Sequence, residues 1–131
     1  MPSRWAKLPG MAPVRVGVFS AAHLHVWSYL TCLKENPRSQ VIGMWDDDLS
    51  RLENISASAG VAPYSSLKDL LENVDAVVIC SENVRHAEMA LPALQAGKHV
   101  LCEKPLVVRE EDGIAMVEAA RASGAKLMTA F

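Results

Sequence analysis

Residues 76 to 80, Ala76-Val77-Val78-Ile79-Cys80, form an unbroken apolar run between Asp75 and Ser81. A strand without a polar face must be covered on both sides, a condition met mainly inside parallel α/β sheets. The surrounding sequence repeats this plan. Residues 14 to 19, 40 to 45, 99 to 102 and 126 to 131 read as further strands, with 61 to 64 as a weak one. Between them lie amphipathic stretches with helical spacing. Leu24, Trp27, Leu30 and Leu33 mark one inward face, ending before Pro37, and Leu49, Leu52 and Ile55 mark the next, ending at Gly60. Ser66 and Asp69 form a capping box ahead of Leu67, Leu70 and Leu71. Helices over 84 to 96, with Val84, Ala87, Leu91 and Leu94 inward, and over 110 to 123, with Ile114 and Val117, complete the set. The alternation predicts an α/β fold: a doubly wound, mostly parallel six-stranded sheet of order 3-2-1-4-5-6.

The chain has 131 residues, the size of one domain, and half of them are hydrophobic. A net charge of −2 gives no electrostatic pull toward nucleic acid or an anionic membrane, and neither is expected as a partner. No apolar run is long enough to span a bilayer. Residues 1 to 13 lack the apolar core of a signal peptide and read as a flexible leader, with 14 to 131 as the folded domain. Cys32, Cys80 and Cys102 are odd in number and sit among apolar residues, which suits reduced thiols in a cytoplasmic protein.

In such a sheet the first strand should run into a glycine-rich turn where a pyrophosphate approaches a helix N-terminus. Here the turn is Ser20-Ala21-Ala22-His23-Leu24-His25, and Ser20, Ala22 and His25 occupy the three glycine positions. Small side chains at Ser20 and Ala22 still allow close approach. Asp46 follows 21 residues after His25, at the end of the second strand, where an acid accepts hydrogen bonds from an adenosine ribose. Asp48 reads as the cap of the next helix. No Arg or Lys follows Asp46 immediately, so a 2′-phosphate should be repelled and NAD is expected over NADP. His23 and His25 would need His86 or a carboxylate to hold zinc; spacing marks no third ligand, so capping and packing roles, and no metal, are expected.

Gly97-Lys98-His99-Val100-Leu101-Cys102-Glu103-Lys104-Pro105 reads as a helix stop, a short buried strand, and an acid–lysine–proline step at the strand's end. Open α/β sheets hold ligands at that edge, and a lysine there can exchange a proton with a substrate hydroxyl.

With these motifs the chain resembles the glucose–fructose oxidoreductase and inositol dehydrogenase (Gfo/Idh/MocA) family. Residues 96 to 106 are similar to its A-G-K-H-V-x-x-E-K-P-L signature, and 75 to 86 to D-A-V-x-I-x-T-P-N-x-x-H, with Ser81 for threonine and Glu82 for proline. The resemblance implies the family's NAD(P)-binding Rossmann domain, with Lys104 and His86 as catalytic residues. It further implies that Phe19, Ser20, Ala22, His23, Leu24, Asp46, Ser81, Asn83, His86, Glu103 and Lys104 line the cofactor. The implied reaction moves a hydride between a sugar- or polyol-like C–OH and nicotinamide, with Glu103 binding the cofactor or orienting Lys104. The family's substrate domain would follow Phe131, so the chain is expected to be a fragment with little turnover and a solvated Lys104. An exposed last strand makes self-association an expectation. A non-catalytic nucleotide-binding module, and an NAD-dependent glycosidase or lyase of the same family, stay open as alternatives.

Overall fold

The computed structural model describes residues 10–131, so the first nine residues of the expected leader lie outside it. The order of elements is β1 (Val14–Phe19), α1 (Val26–Glu35), β2 (Ser39–Trp45), α2 (Leu49–Ala59), α3 (Leu67–Glu72), β3 (Ala76–Ile79), a 3-10 turn (Asn83–Arg85), α4 (His86–Gln95), β4 (His99–Cys102), α5 (Glu110–Ser123) and β5 (Leu127–Thr129). All strand pairs are parallel, and the sheet order is β2-β1-β3-β4-β5.

The apolar run of β3 explains how the layers form. Val77 and Ile79 face one side, with Phe19, Leu70, Met89, Leu94, Val100 and Met116, under α3, α4 and α5. Val78 and Cys80 face the other, with Val18, Val26, Leu30, Met44 and Leu52, under α1 and α2. Alternation along a strand sends successive side chains to opposite layers, so a strand apolar at every position serves both cores.

Five strands replace the six expected. Residues 61 to 64 make only a bridge from Pro63 to Met44, at the outer edge of β2. Met44 N–H donates to the Ala62 carbonyl and Tyr64 N–H to the Met44 carbonyl, so the Pro63 nitrogen faces away from β2 and its missing N–H is tolerated at this edge; Val61 N–H is already taken by the Ser56 carbonyl of α2. The expected order therefore holds, with its outermost strand reduced to one bridge.

Helix faces also rotate relative to the sequence expectation. Helix α1 buries Val26 and Leu30, while Leu24 precedes it and Trp27 lies 41% exposed. On α5 the buried residues are Met116 and Ala120, with Ile114 and Val117 outward, and Val84 and Leu49 are exposed. Small residues and methionine carry the contacts that periodicity had given to Leu, Val and Ile. Helix ends follow the expected chemistry: Asp48 accepts the Arg51 N–H and Ser66 accepts the Asp69 N–H. Gly60 and Gly124 close α2 and α5 in the left-handed conformation. Cys80 and Cys102 are buried, whereas Cys32 is exposed despite its apolar sequence neighbours.

Two outcomes follow. A Cβ on Gly43 would meet the Tyr64 ring and lie 2.8 Å from the Ala62 carbonyl oxygen, which belongs to the backbone of the bridge. Gly43→Ala should destabilise the fold by about 2 kcal/mol in urea unfolding at unchanged slope, as overpacking does; a change under about 0.5 kcal/mol would contradict the packing described. At the amino ends of the neighbouring strands β1 and β3, Asp75 pairs with Arg15 at 2.8 Å, and that pairing lowers its pKa to about 2. A carboxylate with a depressed folded-state pKa stabilises above its unfolded value, and the gain fades as pH falls through the folded value. Stability should therefore drop between about pH 4 and pH 2, and Asp75→Asn should flatten that part of the acid titration. Equal acid slopes in both proteins would exclude the pairing as a contributor.

Candidate functional site

The backbone ladder continues past the strands and ties their carboxyl ends into one edge. Cys80 N–H donates to the Phe19 carbonyl at 3.0 Å, Glu103 N–H to the Ile79 carbonyl at 3.1 Å, and His23 N–H to the Cys80 carbonyl at 2.9 Å. This brings the β1–α1 turn beside the ends of β3 and β4, the position of the ligand crevice in open α/β sheets.

Ser20 stands where the first glycine was expected, and its φ is +65°. The turn thus keeps the left-handed backbone that glycine normally supplies, at a cost of about 1 kcal/mol for a non-glycine residue. Burial and contacts hold it there: Ser20 N–H donates to the Trp45 carbonyl at 2.7 Å, and Oγ accepts the Ala22 N–H at 3.2 Å. The Ala22 and His25 amides are held by side chains alone, Ser20 Oγ and His23 Nδ1, each at 3.2 Å. Such donors can pass to a phosphate oxygen without unravelling the sheet. Small residues, a helix N-terminus and exchangeable amides fit a pyrophosphate.

The residues expected at the site fall into two groups. Ala22, His23, Leu24, Asn83 and Lys104 lie at least partly open, with Leu24, Asn83 and Lys104 exposed. Phe19 does not: it is fully buried, edge-on to Trp45, so only its backbone can border the crevice. Ser81 is also buried and donates to the Glu82 carbonyl at 3.1 Å. His86, expected as a catalytic residue, is buried in this structure. It has no exposed surface, and its Nδ1 lies 2.8 Å from the Pro105 carbonyl oxygen, in the turn after Lys104. Its Nε2 has no hydrogen-bond partner among the described residues.

Asp46 ends β2 fully buried and heavily engaged. It accepts the Ala21 N–H at 2.8 Å and the Asp48 N–H at 3.0 Å, and Arg51 forks onto it at 2.7 and 2.8 Å. Burial pushes its pKa up, but Arg51 and the two amides outweigh this and hold it below the ordinary value. The expectation that no cation attends Asp46 is therefore wrong in space: Arg51 comes from the first turn of α2. A second arginine, Arg85, pairs with Asp47 and with Glu88 at 2.8 Å, so the acids beyond β2 are neutralised across the crevice.

Glu103 is 2% exposed. Its Oε1 accepts the Tyr29 hydroxyl at 2.7 Å and lies 2.9 Å from His25 Nδ1, while Oε2 accepts the Lys104 N–H at 3.2 Å. Burial raises its pKa, yet Tyr29 and His25 together lower it further, so it stays ionised. Tyr29 is pushed upward by its own burial and by the Glu103 charge. Burial, with Glu103 as a lesser cause, raises both Cys80 and Cys102 to about 12, so neither thiol is a nucleophile at neutral pH. Sequence spacing missed Tyr29, Arg51 and Arg85. A polar residue one helical turn after a strand-end acid was the only available signal, and only for Arg51.

Comparison with known proteins gives the family. The family model described as an oxidoreductase family with an NAD-binding Rossmann fold matches residues 14–131. Inositol 2-dehydrogenase 3 of Saccharopolyspora erythraea is 32% identical over 88% of this chain and 35% of its own length. A dTDP-3,4-didehydro-2,6-dideoxy-α-D-glucose 3-reductase of Actinomadura kijaniata is 35% identical over 91% of this chain and 36% of its own. Among solved structures, the WlbA dehydrogenase of Bordetella pertussis, in complex with NADH and UDP-GlcNAcA, superposes with a TM-score of 0.82. It is 30% identical, over 91% of this chain and 35% of that one. Biliverdin reductase of Synechocystis, in complex with biliverdin and NADP+, gives a TM-score of 0.80 at 30% identity, over 90% of this chain and 38% of its own. The chain thus spans about a third of the length of these relatives. From the matched residues and the shared sheet, the chain belongs to the Gfo/Idh/MocA oxidoreductase family, as its NAD-binding Rossmann domain.

Proposed function

We propose that this domain holds the dinucleotide of an oxidoreductase acting on the C–OH of a sugar- or polyol-like substrate, with Lys104 as its catalytic residue. One observation carries the reading: the Glu103–Lys104 step lies at the carboxyl edge of β4, and Glu103 is locked to the β1–α1 turn. A buried, ionised Glu103 fixes the backbone from which the exposed Lys104 springs, since it accepts that residue's own N–H. Bound nicotinamide would supply or accept the hydride. Lys104 Nζ would hold or release the proton of the reacting hydroxyl, a role worth about 10²–10⁴ in rate. His86 and Glu103 would position it, and the turn amides of Ala22 and His25 would take the pyrophosphate. Substrate choice, oligomeric state and a cytoplasmic setting belong to the same proposal. No helix among the described residues is long and apolar enough to cross a membrane.

NAD is the favoured cofactor in this reading, because Asp46 keeps its negative charge at the ribose end. Arg51 offsets that charge, so the preference over NADP should be narrow, about tenfold in Kd or less. Arg51→Gln should widen it at least about tenfold, or ~1.4 kcal/mol, by calorimetric titration with both nucleotides. An unchanged ratio in a variant that still folds would remove Arg51 from cofactor choice. Binding of neither nucleotide at millimolar concentration would sink the whole proposal. Lys104→Ala should leave NAD affinity within about threefold while lowering turnover of the full-length enzyme by at least about 10². Loss of NAD binding instead would make Lys104 structural.

A further inference from the structure

His23, His25 and Glu103 meet at the crevice although 78 residues separate the second histidine from the acid. Each offers one ligand atom, and the three lie within 4.8 Å of one another. We propose that these residues form a binding site for a divalent transition ion of the zinc class, one that fills without the dinucleotide.

Two imidazoles and one carboxylate are the donor set that zinc-class ions take when three protein ligands leave a position for water or a bound oxygen. Ligand bonds of about 2.0–2.2 Å would bring the donor atoms to about 3.4 Å apart, so the present arrangement needs to close by roughly an ångström. The mobile partners are available to do this: His25 is 57% exposed in its side chain, and His23 is partly open. The fixed partner is the acid. A carboxylate has about four acceptor sites, and Tyr29, His25 and the Lys104 N–H occupy three of them at Glu103. An ion entering between His25 and Glu103 would take His25 Nδ1, and the ring proton there would shift to Nε2. The Tyr29 hydroxyl and Lys104 N–H would remain to orient the carboxylate, as outer-shell donors do in metal sites. His23 would give up its 3.2 Å bond from the His25 N–H if it bound through Nδ1, a small loss against a metal bond. The two rings already stand edge to face, centroids 4.4 Å apart at 61°, so both can turn a nitrogen toward one point. The ionised state of Glu103 supplies the charge that the ion would neutralise.

The test is calorimetric titration of the chelator-stripped chain with zinc chloride in the absence of nucleotide, alongside visible absorption of the cobalt(II) form. The expected result is one equivalent bound with a Kd on the order of 10 μM and a low-symmetry cobalt spectrum. His23→Asn and His25→Asn should each weaken binding at least about tenfold, and the double variant should abolish it, with folding checked by circular dichroism. Cys32→Ser should leave binding unchanged, because the exposed thiol lies outside the site. The proposal is overturned if zinc fails to bind at about 1 mM, if the folded double variant binds like the parent, or if Cys32→Ser removes binding. NAD titration in excess chelator reads the dinucleotide separately, so either site can fail without the other.

Discussion

The buried charge of Glu103 governs the geometry of the whole carboxyl edge. A carboxylate taken out of water costs several kcal/mol unless donors replace its hydration. Here the donors come from three places in the chain: the Tyr29 hydroxyl on α1, the His25 ring in the β1–α1 turn, and the Lys104 amide after β4. Meeting that demand docks the turn against the end of β4. It also determines where Lys104 leaves the sheet. The functional edge is therefore organised by electrostatic satisfaction laid over a sheet already assembled by burial.

A second ionic arrangement does the same at the other end of the crevice. Asp46 is fully buried and Arg51 forks onto it, with backbone amides of Ala21 and Asp48 completing its shell. The Ala21 amide belongs to the same turn that Glu103 anchors from the other side. One loop of six residues is thus pinned by two buried acids from two different strands. This explains how the turn keeps its shape without glycine: Ser20 adopts φ +65° because the contacts around it over-determine that conformation. The usual fingerprint relies on glycine's freedom, whereas this turn relies on neighbours.

Much of the fold was legible in the sequence because it depends on period and sign. The doubly apolar run of β3 required a sheet covered on both faces, and parallel pairing with helical crossovers follows from that requirement. Caps at Asp48 and Ser66 and stops at Gly60 and Gly124 are local chemistry, written within a few residues of where they act. Lys104 and Glu103 were visible as candidates because they follow a strand directly. By contrast, residues 61 to 64 looked like a strand by composition, yet they pair with β2 through a single bridge, with Val61 N–H held by the end of α2.

Partnership was decided only by tertiary structure. Nothing near Glu103 in sequence names Tyr29 or His25, which lie 74 and 78 residues away, and the spacing of Arg51 one helical turn beyond Asp46 did not by itself show that it would turn back onto it. His86 stood out in its motif, but packing buried it and gave it the Pro105 carbonyl instead of the crevice. The sequence by itself determined the sheet, its crossovers and the edge where chemistry belongs, because burial and periodicity are properties of short segments. Which charges meet at that edge was settled by the folded chain, because only the crossovers bring distant polar groups within hydrogen-bond reach.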